Sequence, residues 1–131
     1  MKRFAIAICA LCWGTWSAAA HHSVSLYITT TPKAVIGTVK TFEWSNPHSR
    51  LIVEVLDPDG KASEWDFEGP SLVRMTASGI NKDSIVPGDK ITVTYGPRRD
   101  GKPGGLFMAA TYTGGKTLRL KPNRSGVDVG F

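Results

Sequence analysis

The chain carries three histidines, and two of them are neighbours. His21 and His22 follow Ala18-Ala19-Ala20, and His48 closes the run Asn46-Pro47-His48. Imidazole nitrogen is a donor suited to zinc, copper, iron and nickel. The two cysteines, Cys9 and Cys12, lie in the apolar stretch ahead of the alanines. A thiolate zinc or iron–sulfur site is therefore excluded from the rest of the chain. What the histidines offer is nitrogen ligation.

Which nitrogens take part depends on where the mature chain begins. Met1-Lys2-Arg3 is a short positive start, residues 4–16 are apolar and uncharged, and the three alanines supply the small side chains a signal peptidase requires. The apolar run is too short to cross a bilayer, which takes about 20 residues. Residues 1–20 thus read as an export signal. The mature protein is expected in the periplasm or secreted, with no stable membrane insertion once the signal is removed.

Cleavage after Ala20 makes His21 the first residue. Its α-amine and ring Nδ1 then close a chelate ring on a metal, and one further imidazole completes a planar three-nitrogen set, a histidine brace. That tetragonal geometry suits Cu(II). His48 is the natural third donor, with His22 as its competitor. Cleavage after Ala19 instead gives Ala20-His21-His22, where the amine, two backbone amides and the His22 imidazole form a square-planar set that Cu(II) and Ni(II) favour. Either start points to copper. The α-amine must lose a proton, which its free pKa of about 7.7–8.0 makes accessible near neutrality.

The elements that must position these donors read as strands. Residues 34–44 are rich in β-branched and aromatic side chains, with Gly37 marking a bulge or a barrel corner. Residues 50–56 form the second strand and residues 62–68 the third, joined by the turn Asp57-Pro58-Asp59-Gly60. In the third strand Trp65 and Phe67 point to the core, while Glu64, Asp66 and Glu68 form the wet face. A short helix follows around Leu72, Val73 and Met75, with Ser71 or Pro70 at its start and Gly79 just past its end. Residues 90–95, 106–113 and 117–120 are the later strands, and residues 96–105 a basic glycine-rich loop. Met108 reads as packing. Residues 121–131 read as a loose tail.

Three strands, one helix, then two or three strands is the connectivity of the OB-fold. The expected fold is mainly β: one small OB-fold-like barrel of five or six strands over residues 21–120, with a helix between strands three and four. A small β-sandwich is the alternative. In a barrel of this kind the loop between strands one and two, which holds His48, and the loop between strands four and five border the binding face. To bring His21 to His48, residues 23–29 must pair antiparallel with the first strand or lie across it. Twelve extended residues reach about 40 Å, against about 35 Å for the strand. A further short strand alternating Val24, Leu26 and Ile28 with Ser25 and Tyr27 fits that path.

Charge narrows the partners. The 131 residues carry a formal +5; without Lys2 and Arg3 it is +3, from 14 basic and 11 acidic residues. That is mild, and it is not the concentrated basic stripe of a nucleic-acid binder. No nucleophile set of serine, histidine and aspartate and no phosphate loop is present. The sequence leans away from an enzyme, and a copper oxidase is the weakest reading. The expected function is periplasmic Cu(II) binding at His21, His22 and His48 for delivery, buffering or protection. The alternative is a metal-free exported module that binds a periplasmic protein or a glycan.

The start Ala20-His21-His22-Ser23, the turn Trp44-Ser45-Asn46-Pro47-His48, Trp65, Pro87-Gly88-Asp89 and Gly96-Pro97 together resemble a family of small exported bacterial proteins of unknown function. That family has an "AHHS" start and an "NPH" turn, and the likeness covers nearly all of the mature chain. Val24 stands where members carry an aromatic residue, and Ile80 where they often carry Trp. The resemblance implies no activity, so the functional expectation rests on the histidines.

Overall fold

β1 (Lys33–Glu43) is the strand on which the fold turns, because it serves two neighbours in succession. Its first half, Lys33 to Thr38, pairs antiparallel with β4 (Lys90–Pro97), and its second half, Thr38 to Glu43, with β2 (Arg50–Leu56). The changeover falls beside Gly37. A Cβ there would sit 2.4 Å from Val53 Cγ1 and 2.5 Å from the Glu54 carbonyl oxygen, so only glycine lets the two strands approach this closely. Gly37 is thus the barrel corner its composition suggests, while the irregularity in register lies between Val39 and Thr41.

The computed structural model describes residues 26–122. The expected signal, His21, His22 and the tail from residue 123 onward lie outside the described residues. Within them the strand order is β3-β2-β1-β4-β5-β6, with β3 (Ala62–Glu68) also pairing β5 (Gly104–Tyr112). That last pairing is parallel, Asp66 to Gly104 through Glu68 to Leu106, and it closes a five-stranded barrel with OB-fold topology. A β-sandwich is excluded by that closure. β6 (Thr117–Arg119) is an added strand on the outer edge of β5.

Strand bounds follow the pattern of side chains closely, and β2 and β3 match it end to end. β1 starts and ends one residue earlier than expected, β5 and β6 each end one residue short, and the larger departures are at glycines. β4 runs on to Pro97 and β5 begins at Gly104, so the connecting loop is shorter than composition suggests. Gly104 has φ +109°, and a Cβ on it would meet the Asp66 carbonyl at 2.0 Å. These glycines form the seam of the barrel, where backbone packs on backbone.

Phe67, Leu51, Val53, Ile91, Val93 and Phe107 fill the interior. α1 (Leu72–Ala77), together with Ile80 and Ile85, plugs one end through Met75. Met108 is buried, as its strand position implies. Lys121, at the start of the expected tail, is still fastened: its N–H donates to Ser78 Oγ, and its carbonyl accepts from Arg74.

Candidate functional site

His48 owes its position to the residue after it. Ser49 is completely buried, and its backbone N–H and its hydroxyl both donate to the Pro70 carbonyl, at 3.2 and 3.0 Å. The Ser49 carbonyl in turn accepts from Gly69 N–H at 2.8 Å. A Cβ at Gly69 would lie 2.3 Å from Ser49 Oγ, so glycine is needed for this clasp to close. On the other side of His48, Ser45 Oγ donates to the His48 carbonyl at 2.9 Å. The Asn46-Pro47 peptide is cis. Asn46 does not cap its own turn: its Oδ1 accepts from Leu72 N–H at 3.1 Å, at the start of α1, where Ser71 makes no side-chain cap. The turn between β1 and β2 is therefore bolted to the segment that enters the helix.

The imidazole of His48 faces Glu68, the last residue of β3, with Nδ1 3.2 Å from Oε1. The side chain as a whole is 33% exposed, but Nδ1 itself is buried. The other oxygen of the same carboxylate, Oε2, accepts from the Tyr27 phenol at 2.5 Å. Burial, and after it the hydrogen bond to Glu68, push the Tyr27 phenol well above the usual tyrosine range. It stays a proton donor to the carboxylate at any physiological pH.

Tyr27 is held in its turn by the loop after β4. It forms an antiparallel bridge with Arg98, Ile28 N–H donates to the Pro97 carbonyl at 2.8 Å, and Arg99 N–H to the Leu26 carbonyl at 2.9 Å. This corrects the expected path of residues 23–29: those that are described pair with the β4–β5 loop and not with β1, whose two halves are already taken by β4 and β2. It also corrects the expected alternation. Tyr27 is buried at 3% exposure and Leu26 lies 53% exposed, because the phenol has a carboxylate to reach. The segment makes one bridge and no strand among the described residues.

Tyr27, His48 and Glu68, with Arg50, Asp66 and Arg98, line a cavity of about 200 Å³. Its two guanidinium groups are matched locally. Arg50 meets Asp66 at 2.6 and 3.3 Å, and Arg98 meets Asp100 at 3.0 and 3.2 Å. Glu68 is the residue that sequence reasoning missed. Its alternation places it on the outer face of β3, yet its side chain is only 24% exposed, because Tyr27 and His48 cover it from two other parts of the chain. Of its companions on that face, Asp66 is tied to Arg50, and Glu64 is largely exposed.

His48 lies at this cavity, and His21 and His22 lie outside the described residues. Among the described residues no group of three histidine, cysteine, aspartate or glutamate side chains could hold a metal ion. The chemistry available is that of one imidazole backed by a carboxylate. Nδ1 is the nitrogen turned toward Glu68, and Nε2 is the one left for other chemistry.

Residues 10–108 match a family described as "Family of unknown function (DUF6152)". The chain belongs to this family. No curated protein matches it. Among solved structures it is similar to the small single-stranded DNA-binding protein from Streptomyces coelicolor, at 18% identity and a TM-score of 0.39, over 63% of this chain and 90% of that one. The span matched by the family includes both the alanine–histidine junction and the His48 turn.

Proposed function

We propose that this member of DUF6152 is an exported Cu(II)-binding protein of the periplasm, serving copper delivery, buffering or protection, with His48 and the N-terminal His21 as donors and His22 assisting. The observation that supports the reading is the Glu68 carboxylate, which holds Tyr27 with one oxygen and faces His48 with the other. Tyr27 is six residues from His21, an extended reach of about 20 Å. Tyr27 shares Glu68 with His48, so the histidines at the start of the chain are within reach of that ring without crossing a whole strand. The Glu68 carboxylate also lies at ion-pair distance from Nδ1, which leaves Nε2 as the nitrogen away from it.

A mature chain starting at His21 supplies an amine and a ring nitrogen, and His48 Nε2 supplies the third donor. The set is neutral and entirely nitrogenous, which suits Cu(II) above the harder divalent ions. Cu(II) titration of the mature protein tests this, with its first residue fixed by intact mass. The expected result is one tight site that is lost in His48→Ala and lost when three alanines are added ahead of His21, which leaves no histidine among the first three positions. Equal affinity in all three proteins rejects the brace. No binding by any of them leaves the metal-free module as the reading.

A further inference from the structure

A second and larger hollow, an open groove of about 470 Å³, adjoins the histidine cavity at Arg98. Its size is within the range of small-molecule sites. It shares only Arg98 with the histidine cavity. Its walls are mainly apolar, and their centre is a pair of aromatic rings. Trp65 is half-buried and meets Tyr95 edge to face, with centroids 5.9 Å apart and planes at 87°. Tyr95 is only 5% exposed and backs the indole from the core, so a flat ring entering the groove meets the open part of Trp65, stacked or edge to face. Pro97 extends the apolar wall.

The polar part of the groove is of one sign. Lys33, Lys102 and Arg98 line it, and no acidic side chain is among the described residues that do. Asp100 lies close by, 3.8 Å from Lys102 Nζ, but both of its oxygens already accept from Arg98. Hydrogen-bonding groups are otherwise scarce. A sugar, whose every hydroxyl needs a partner when it leaves water, is poorly served here. A flat apolar body with one negative group is well served.

We propose that this groove binds an aryl carboxylate of one or two fused rings, with the ring against Trp65 and the carboxylate at Lys33 and Lys102. The two lysines select the charge, and the indole, backed by Tyr95, selects the flat shape. The proposal stands apart from the copper reading, since none of these four residues takes part in the histidine site.

The test is a titration of the mature chain with naphthoate, followed by two-dimensional amide NMR. The Trp65 indole N–H, which donates to Ser63 Oγ at 3.1 Å, is the reporter. Saturable shifts at Trp65 are expected with a dissociation constant on the order of 0.1–1 mM. Naphthalenemethanol, the uncharged analogue, is expected to bind about three- to tenfold more weakly at low salt. The double variant Lys33→Gln/Lys102→Gln, at two exposed positions, should erase that difference while the spectrum stays folded. Absence of saturation up to about 10 mM, shifts confined to other residues, or equal binding of acid and alcohol by the unmodified protein overturns the proposal. Tighter binding of glucuronate or of laurate overturns it too, since that makes the body of the ligand a sugar or an alkyl chain.

Discussion

The Tyr27 phenol donates to Glu68 Oε2 at 2.5 Å across 41 positions of sequence. Glu68 meets His48 Nδ1 with its other oxygen. One carboxylate thus draws together the entry of the chain, the end of β3 and the β1–β2 turn. Each of these three is anchored separately: Tyr27 by the β4–β5 loop, Glu68 by the barrel, and His48 by the Ser49–Pro70 clasp.

Removing the phenol isolates the first anchor. Tyr27→Phe keeps the buried ring and deletes one hydrogen bond to a charged acceptor, so a loss of about 1.5–3 kcal/mol is expected in urea unfolding. Glu68→Gln keeps an acceptor for Tyr27 but gives up the charge facing His48. It should therefore weaken Cu(II) binding by about 10–100-fold while the barrel remains folded. Unchanged affinity in that variant would mean that the carboxylate has no part in presenting the imidazole.

The clasp around Ser49 predicts non-additive mutants. Gly69→Ala drives a methyl group against Ser49 Oγ and should cost about 1–3 kcal/mol. Ser49→Ala loses one side-chain hydrogen bond, while Pro70 keeps the backbone bond from Ser49, for about 0.5–1.5 kcal/mol. In the double variant the clash is gone. Its cost should fall short of the sum by about 1 kcal/mol or more, read from a urea double-mutant cycle. Strict additivity would mean that the two residues do not share one tight contact.

All three tyrosines of the described chain are held protonated above their ordinary value of 10.0. Burial is the leading cause for each, joined by Glu68 at Tyr27 and by Asp89 at Tyr112. A raised native pKa adds stability that is whole below pH 10, and that stability drains away as pH climbs toward the native value, since only the unfolded chain gains by ionising. Urea midpoints should thus hold steady to about pH 10 and fall above it, and fall less steeply in Tyr27→Phe. Native phenolate absorbance should lag behind that of the unfolded chain.

At the acid end, Asp100 behaves in the opposite sense. Two hydrogen bonds from Arg98, and a further one from Lys102 N–H, hold its carboxyl down at about 2. The loop contacts it makes should persist below pH 3.8 and loosen only as pH falls through that lower value. Carboxyl NMR titration checks this, and Arg98→Gln should return Asp100 most of the way to the ordinary carboxylate range.

Much of the fold was legible in local pattern. Alternation within residues 50–56 and 62–68 identifies β2 and β3 fully, and Ser71 and Gly79 bracket the helix. What escaped was set by contacts between distant segments. Glu68 has the parity of a solvent-facing residue, and nothing in β3 announces that Tyr27 and His48 cover it. Asn46 sits in the β1–β2 turn, yet its Oδ1 serves Leu72, 26 positions on. The glycines between Tyr95 and Leu106 read as a mobile loop by composition, whereas Gly104 and Gly105 pack on β3 and β4 where the barrel closes. His48 was found by residue type alone. Its carboxylate partner could be seen only once the barrel brought the end of β3 beside the turn.

The most direct test of the account is the EPR spectrum of the mature protein with one equivalent of Cu(II), its first residue confirmed as His21. The expected spectrum is a tetragonal signal with coupling to three nitrogens, one of which disappears in His48→Ala. A spectrum identical in the two proteins would contradict it, because the ring that Glu68 faces would then have no part in holding the metal.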